Sequence, residues 1–140
     1  MRIPPLVRTG ASVVVGYVVI VVCTSIGFKP LGGIVHVQAP LGIQAAGALV
    51  AIVSGLLGGV TAAFVAGTHP VRHAAAVLIF LAIDTAVVLS RADADPAWFE
   101  LAGSATLMLA TVGGGVLYGR VARRHRPPRV PLTDGTDPRP

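Results

Sequence analysis

The stretch GALVAIVSGLLGGVTAAFVAG, residues 47–67, decides the fold class. It carries no charged residue, and with the preceding LGIQAA it forms an apolar run from Leu41 to Gly67. About 20 residues of helix cross the hydrocarbon of a bilayer, so this run is long enough to span, with tilt or with its first turn in the headgroup layer. It is also patterned. Gly47, Ala51, Gly55, Gly59, Ala63 and Gly67 recur every four residues. On a helix that spacing stacks small side chains into a ridge. Lipid tails give helices no hydrophobic reason to associate, so close approach across small residues must supply the attraction.

Working outward, three more spans appear, at about residues 10–28, 71–90 and 97–120. The first is crowded with β-branched residues from Val13 to Val22, a strand signature in water. In lipid the backbone must satisfy its own hydrogen bonds, so a helix is expected there. Lys29-Pro30 and Gly32-Gly33 end the first span, and Pro40 opens the second. Residues 31–39 read as a loop. Gly67-Thr68-His69-Pro70 reads as a tight turn, with Thr68 as the expected helix cap and Pro70 in the first helical turn. Arg91 to Pro96 separates the last two spans. The fourth span repeats the small-residue device with Thr111, Gly115 and Gly119, which makes the second and fourth helices the expected close pair.

The expected fold is therefore an all-α integral-membrane bundle of four transmembrane helices within residues 1–126. Residues 127–140, rich in Pro, Asp, Thr and Arg, are expected to form a disordered cytoplasmic tail. Gly58-Gly59-Val60, Val65-Ala66 and His69 align with Gly114-Gly115-Val116, Val121-Ala122 and His125, as two duplicated helical hairpins would.

Composition agrees. Of 140 residues, 54% are hydrophobic and 12% charged, about half the charge of an ordinary soluble domain. Mean hydropathy is +0.78. A soluble enzyme and a disulfide scaffold are excluded. Cys23 is the single cysteine, so no intrachain disulfide or cysteine-based zinc site can form. The first span is read as an uncleaved helix, because Ser25-Ile26-Gly27 is a poor cleavage site.

Ten of the eleven basic residues are arginine, and five of these cluster at the end of the last span and just after it: Arg120, Arg123, Arg124, Arg126 and Arg129. Basic residues there fix orientation and meet anionic lipid head groups. No aromatic residues interleave them, so nucleic acid is not expected as a partner. With the N-terminus inside, the inner side carries Arg2, Arg8, Arg72 and those five arginines, against Lys29 and Arg91 outside. Both termini are thus expected in the cytoplasm, with Trp98 and Phe99 at the outer interface and Tyr118 near the inner one.

Asp84 is the polar anomaly. It stands in the otherwise apolar run 74–89. An aspartate at a helix centre in the bilayer costs about 2.5–3.5 kcal/mol on insertion scales, and such acids mark functional sites by default. Counting depth from the inner surface puts Ser54 and Thr106 level with it, so it is expected to face the bundle interior near those hydroxyls. Helical periodicity puts His73, Val77, Phe80, Asp84, Val88 and Arg91 on one face, with Arg91 leaning back for a stretched or water-bridged pair. His69 and His73 have a spacing that can hold a metal. Pro70 and Arg72 intervene and no third ligand is near, so interfacial anchoring is the preferred reading and no metal or cofactor is expected.

Gly16-Tyr17 in a Val-rich first helix, Gly58-Gly59-x-x-Ala62-Ala63-x-x-Ala66-Gly67 running into His69-Pro70, Pro96-Ala97-Trp98 and Gly113-Gly114-Gly115 complete the pattern. Together they resemble a family of small, uncharacterised bacterial four-helix inner-membrane proteins. The resemblance covers residues 10–120 and implies a multi-pass protein of the cytoplasmic membrane. It brings no activity with it. No nucleophile–base pair can be assembled, so an enzyme is not expected. The preferred function is a non-catalytic structural or accessory membrane component, packing on itself as a homo-oligomer or on a membrane partner. The alternative is a small oligomeric transporter or channel using Asp84 as a proton or cation site.

Overall fold

A computed structural model describes residues 5–33, 35–91 and 95–124. Four long helices make up the described chain: α1 (Pro5–Phe28), α2 (Leu41–Ala66), α3 (Pro70–Leu89) and α4 (Ala97–Arg124). All four are long and apolar enough to cross a membrane. A one-turn 3-10 helix, Lys29–Leu31, follows α1. The β-branched run of α1 is helical, as backbone self-satisfaction in lipid requires. Helix α1 begins before the apolar run does, and α4 continues one turn past Arg120. The expected tail at 127–140, with Arg126, Arg129 and His125, lies outside the described residues.

The connections define two ends. At one end α2 meets α3 through residues 67–69; this is the hairpin end. At the other lie the α1–α2 and α3–α4 connections; this is the loop end. Gly67 closes α2 in a left-handed conformation, φ +68°, with its N–H bonded to the Ala63 carbonyl. A residue without a Cβ suits that cap. The cap of α3 is His69 rather than Thr68. Pro70 is already helical, so the N-cap must be the residue directly before it, and His69 adopts φ +45° to make the corner.

Large and small residues are sorted inside out relative to a soluble bundle. Ile26, Phe64 and Leu109 are 67%, 67% and 75% exposed, whereas Ala62, Ala63, Ala74 and Val77 are fully buried. Outward bulk suits a lipid solvent, and inward small residues let helix backbones touch.

Helix α2 is the hub and packs most extensively on α4 and α1. Its every-fourth-residue series does not form one straight seam. Each step of four turns 400°, so the series drifts about 40° per step around the helix. Gly47 lies against Val35 and Phe28 near the loop end. Gly55 and Gly59 lie against the α4 backbone: a Cβ on Gly55 would stand 2.6 Å from the Leu107 carbonyl oxygen, and one on Gly59 would collide with the Thr111 carbonyl. Ala51 and Ala63 are buried, and Gly67 has left the seam to serve as the cap.

The aligned Gly-Gly pairs have a shared geometry. In α2, Gly58 faces Gly16 and Ile20 of α1 while Gly59 faces α4. In α4, Gly114 faces the Leu56 carbonyl of α2 while Gly115 faces Ala74 and Pro70 of α3. Adjacent glycines point about 100° apart, so each pair lets one helix wedge between two neighbours. Gly119 continues the α4 seam against the Pro70 ring.

Candidate functional site

Burial is concentrated toward the hairpin end. On α1 the buried residues are Ser12, Val13, Gly16 and Ile20; on α3 they are Ala74, Val77 and Leu81; on α4 they are Thr111, Gly114, Gly115 and Gly119. The first half of α4 and the last eight residues of α3 have none. The loop end is correspondingly open, and two clefts occupy it.

The smaller cleft, of about 130 Å³, is lined by Ile20, Val21 and Thr24 of α1, Leu81, Asp84, Thr85 and Val88 of α3, and Ser104 and Leu107 of α4. Asp84 is exposed at this cleft rather than enclosed. The phenol of Tyr17, on α1, donates to Asp84 Oδ2 at 2.5 Å. Tyr17 is held in turn by Phe80, with ring centroids 5.2 Å apart. Helices α1 and α3 run in the same direction, so Tyr17 and Asp84 meet across a parallel pair.

The depth count did not find this pairing. Asp84 stands five residues before Leu89, about 7.5 Å from the end of α3 at 1.5 Å per residue, and so in the loop-end half of the helix. Ser54 is buried on α2 and does not line the Asp84 cleft. Thr106 donates to its own Ala102 carbonyl and lines the other cleft. Arg91 is exposed beyond the end of α3, and the one direct ion pair among the described residues is His36–Asp95, so Asp84 and Arg91 are not in direct contact. Depth matching gives height along the bundle normal but not the direction in which a side chain points. The signal that could have found Tyr17 is its polar tip inside an apolar span.

The larger cleft, of about 490 Å³, opens between α1, α2 and α4. Its lining includes Phe28, Gln44, Gly47, Trp98, Glu100 and Thr106, and it shares Thr24, Ser104 and Leu107 with the Asp84 cleft. Above it the two loop-end connections are clasped together. Asp95 Oδ2 lies 3.0 Å from His36 Nδ1, and Asp95 Oδ1 accepts the Val37 N–H at 3.2 Å. Gln44 Nε2 donates to the Val37 and Ala39 carbonyls, tying the α1–α2 connection to the first turn of α2.

No family model matches the chain, and no curated protein or solved structure is similar enough to match it.

At the hairpin end Arg8 has a role that its count in the charge balance did not reveal. Its Nε donates to the Val65 carbonyl at 3.1 Å, and its guanidinium covers Gly67. A cation on the free carbonyls of a last helical turn is favourable. His73 Nδ1 donates to the His69 carbonyl at 3.1 Å, which leaves Nε2 facing the Thr9 hydroxyl at 3.4 Å. Both imidazoles therefore sit in the turn region, with His73 engaged by protein atoms. Arg123 Nε donates to the Gly119 carbonyl at the end of α4, and Phe64 stacks edge-on with Tyr118 at 6.1 Å.

Proposed function

We propose that the chain is a non-catalytic structural or accessory component of a bacterial cytoplasmic membrane, with both termini in the cytoplasm. The supporting observation is the hairpin-end core, where Gly55, Gly59, Gly114 and Gly115 let three helices touch backbone to backbone. Such contacts hold a fixed shape and leave large apolar side chains outside for lipid or for another membrane helix. Arg8, Arg72, Arg120, Arg123 and Arg124 all gather at the hairpin end, which favours the cytoplasmic side for it. Anionic head groups are the partners those arginines suit, and a second copy or another membrane protein is the partner the apolar exterior suits.

Co-purification from mild detergent with a membrane partner at fixed stoichiometry, or a defined homo-oligomer, is the expected result. A reporter fused after Pro140 that works only outside the cytoplasm overturns the orientation.

A second reading, a small oligomeric transporter or channel, draws on the Tyr17–Asp84 bond beside an open cleft. Proton flux into proteoliposomes separates the two. The structural reading expects the rate of empty liposomes for both wild type and Asp84→Asn; flux abolished by Asp84→Asn replaces it.

A further inference from the structure

The loop-end clefts share a chemical bias. In the Asp84 cleft, Thr24 Oγ1 donates to the Ile20 and Val21 carbonyls and Thr85 Oγ1 donates to the Leu81 carbonyl. Their hydrogens are spent on their own helices, a common arrangement for intramembrane hydroxyls. What they can still offer is lone pairs. Asp84 receives one hydrogen bond, from Tyr17, and its carboxylate has room for more. The polar lining is therefore acceptor-rich, with Ser104 the one hydroxyl whose hydrogen has no protein acceptor among the described residues. The remaining walls are Ile20, Val21, Leu81, Val88 and Leu107.

A second observation points the same way. The larger cleft shares a wall with the first and carries Glu100, and neither lining contains Lys, Arg or His. An acidic lining between low-dielectric walls concentrates cations. An occupant that satisfies this lining needs positive charge, several hydrogen-bond donors and some apolar surface. A calcium ion takes six to eight oxygen ligands, more than this lining supplies beside so many aliphatic side chains. The lining offers an ammonium group with three N–H donors one carboxylate and two threonine hydroxyl oxygens, and it offers a short alkyl chain aliphatic walls.

We propose that the Asp84 cleft binds the protonated primary amine of a small organic cation. The inference deepens the transport reading by naming its ligand class, yet binding itself needs no transport.

The probe is n-butylammonium, titrated calorimetrically into the full chain in detergent. Saturable binding is expected, with tetramethylammonium, which has charge but no N–H, about tenfold weaker or worse. Asp84→Asn should weaken n-butylammonium by a similar factor while keeping the elution profile of wild type. Val88→Phe keeps the carboxylate and fills the cleft, so it should abolish binding even where Asp84→Asn fails to fold. Equal affinity for tetramethylammonium, or unchanged binding in Val88→Phe, overturns the proposal. Repeating the titration in phosphatidylcholine nanodiscs with and without phosphatidylethanolamine identifies the source. Weaker apparent binding with the latter assigns the amine to a lipid head group; unchanged binding assigns it to a soluble solute. Binding without butylammonium counterflow in proteoliposomes keeps the site and removes the transport reading. No binding to the wild type removes the site and leaves the transport reading to proton flux alone.

Discussion

The hairpin end and the loop end of this bundle are built from the same four helices by opposite means. At the hairpin end, glycine and alanine remove side-chain volume until carbonyls and Cα atoms meet across the interfaces. At the loop end no neighbouring backbone comes so close: Gly42 and Gly103 are exposed, and a Cβ on either would meet nothing within 4 Å, while Gly27 and Gly47 lie against the side chains of Val50, Val35 and Phe28. Polar clasps add to that side-chain packing, Tyr17–Asp84 within the span and His36–Asp95 between the connections. Glycine content alone therefore says little about packing; what matters is whether a neighbouring backbone approaches.

The difference can be broken most severely at Gly59. Gly59→Leu drives a side chain into the Thr111 carbonyl and should destabilise the bundle by about 1–3 kcal/mol or more, the range for overpacked cores. Loss of the folded species in detergent size-exclusion and a lowered thermal midpoint are the expected readings; wild-type behaviour would mean that the α2–α4 seam is not what holds the bundle. Next is Asp95→Ala, which removes the acceptor for His36 and for the Val37 N–H. A hydrogen bond contributes about 0.5–1.5 kcal/mol net, so a loss of about 1 kcal/mol is expected. Hydrogen exchange should quicken in residues 35–40 and leave the hairpin end protected; faster exchange at both ends would show that the two halves unfold as one.

Arg8→Ala probes the hairpin end at smaller scale. It uncovers the last turn of α2 and should cost about 0.3–1 kcal/mol, more at low salt than at high. A loss that does not depend on salt would assign the contribution to packing on Gly67 rather than to charge. Gly103→Ala should change sign. The site is helical and open, so alanine should stabilise by up to about 1 kcal/mol through helix propensity. A destabilised Gly103→Ala protein would place a partner against that face of α4.

The four spans were legible because apolar run length is a direct requirement of the bilayer, and the breaks at Pro30, Pro40, Gly67 and Pro96 leave little freedom. The every-fourth-residue series identified α2 as the densest small-residue helix. It did not show that successive members face different neighbours, because that depends on where α1 and α4 stand around it. Asp84 stood out by chemistry, but its partner did not. Tyr17 read as an aromatic in a Val-rich helix, and only the docking of α1 beside α3 gives it a carboxylate. Arg8 is similar: charge placement gave it a side of the membrane, and the turn at Gly67 gives it a carbonyl.

The seam between α2 and α4 has a consequence for how the chain is made. Its two faces are not neighbours in synthesis, since Thr111 emerges about fifty residues after Gly59, some 3–10 s later at ordinary elongation rates. During that interval α2 is in the membrane with its face for α4 still uncovered. Lipid chains can fill a shallow row of glycines without large loss, because they are as apolar as the helix that will replace them. The nascent protein is therefore stable enough to wait, but it carries a surface complementary to other small-residue helices until α4 arrives. A chain halted after α3 should keep that surface permanently and pair through it with a second halted chain, so premature termination would yield a self-associating fragment.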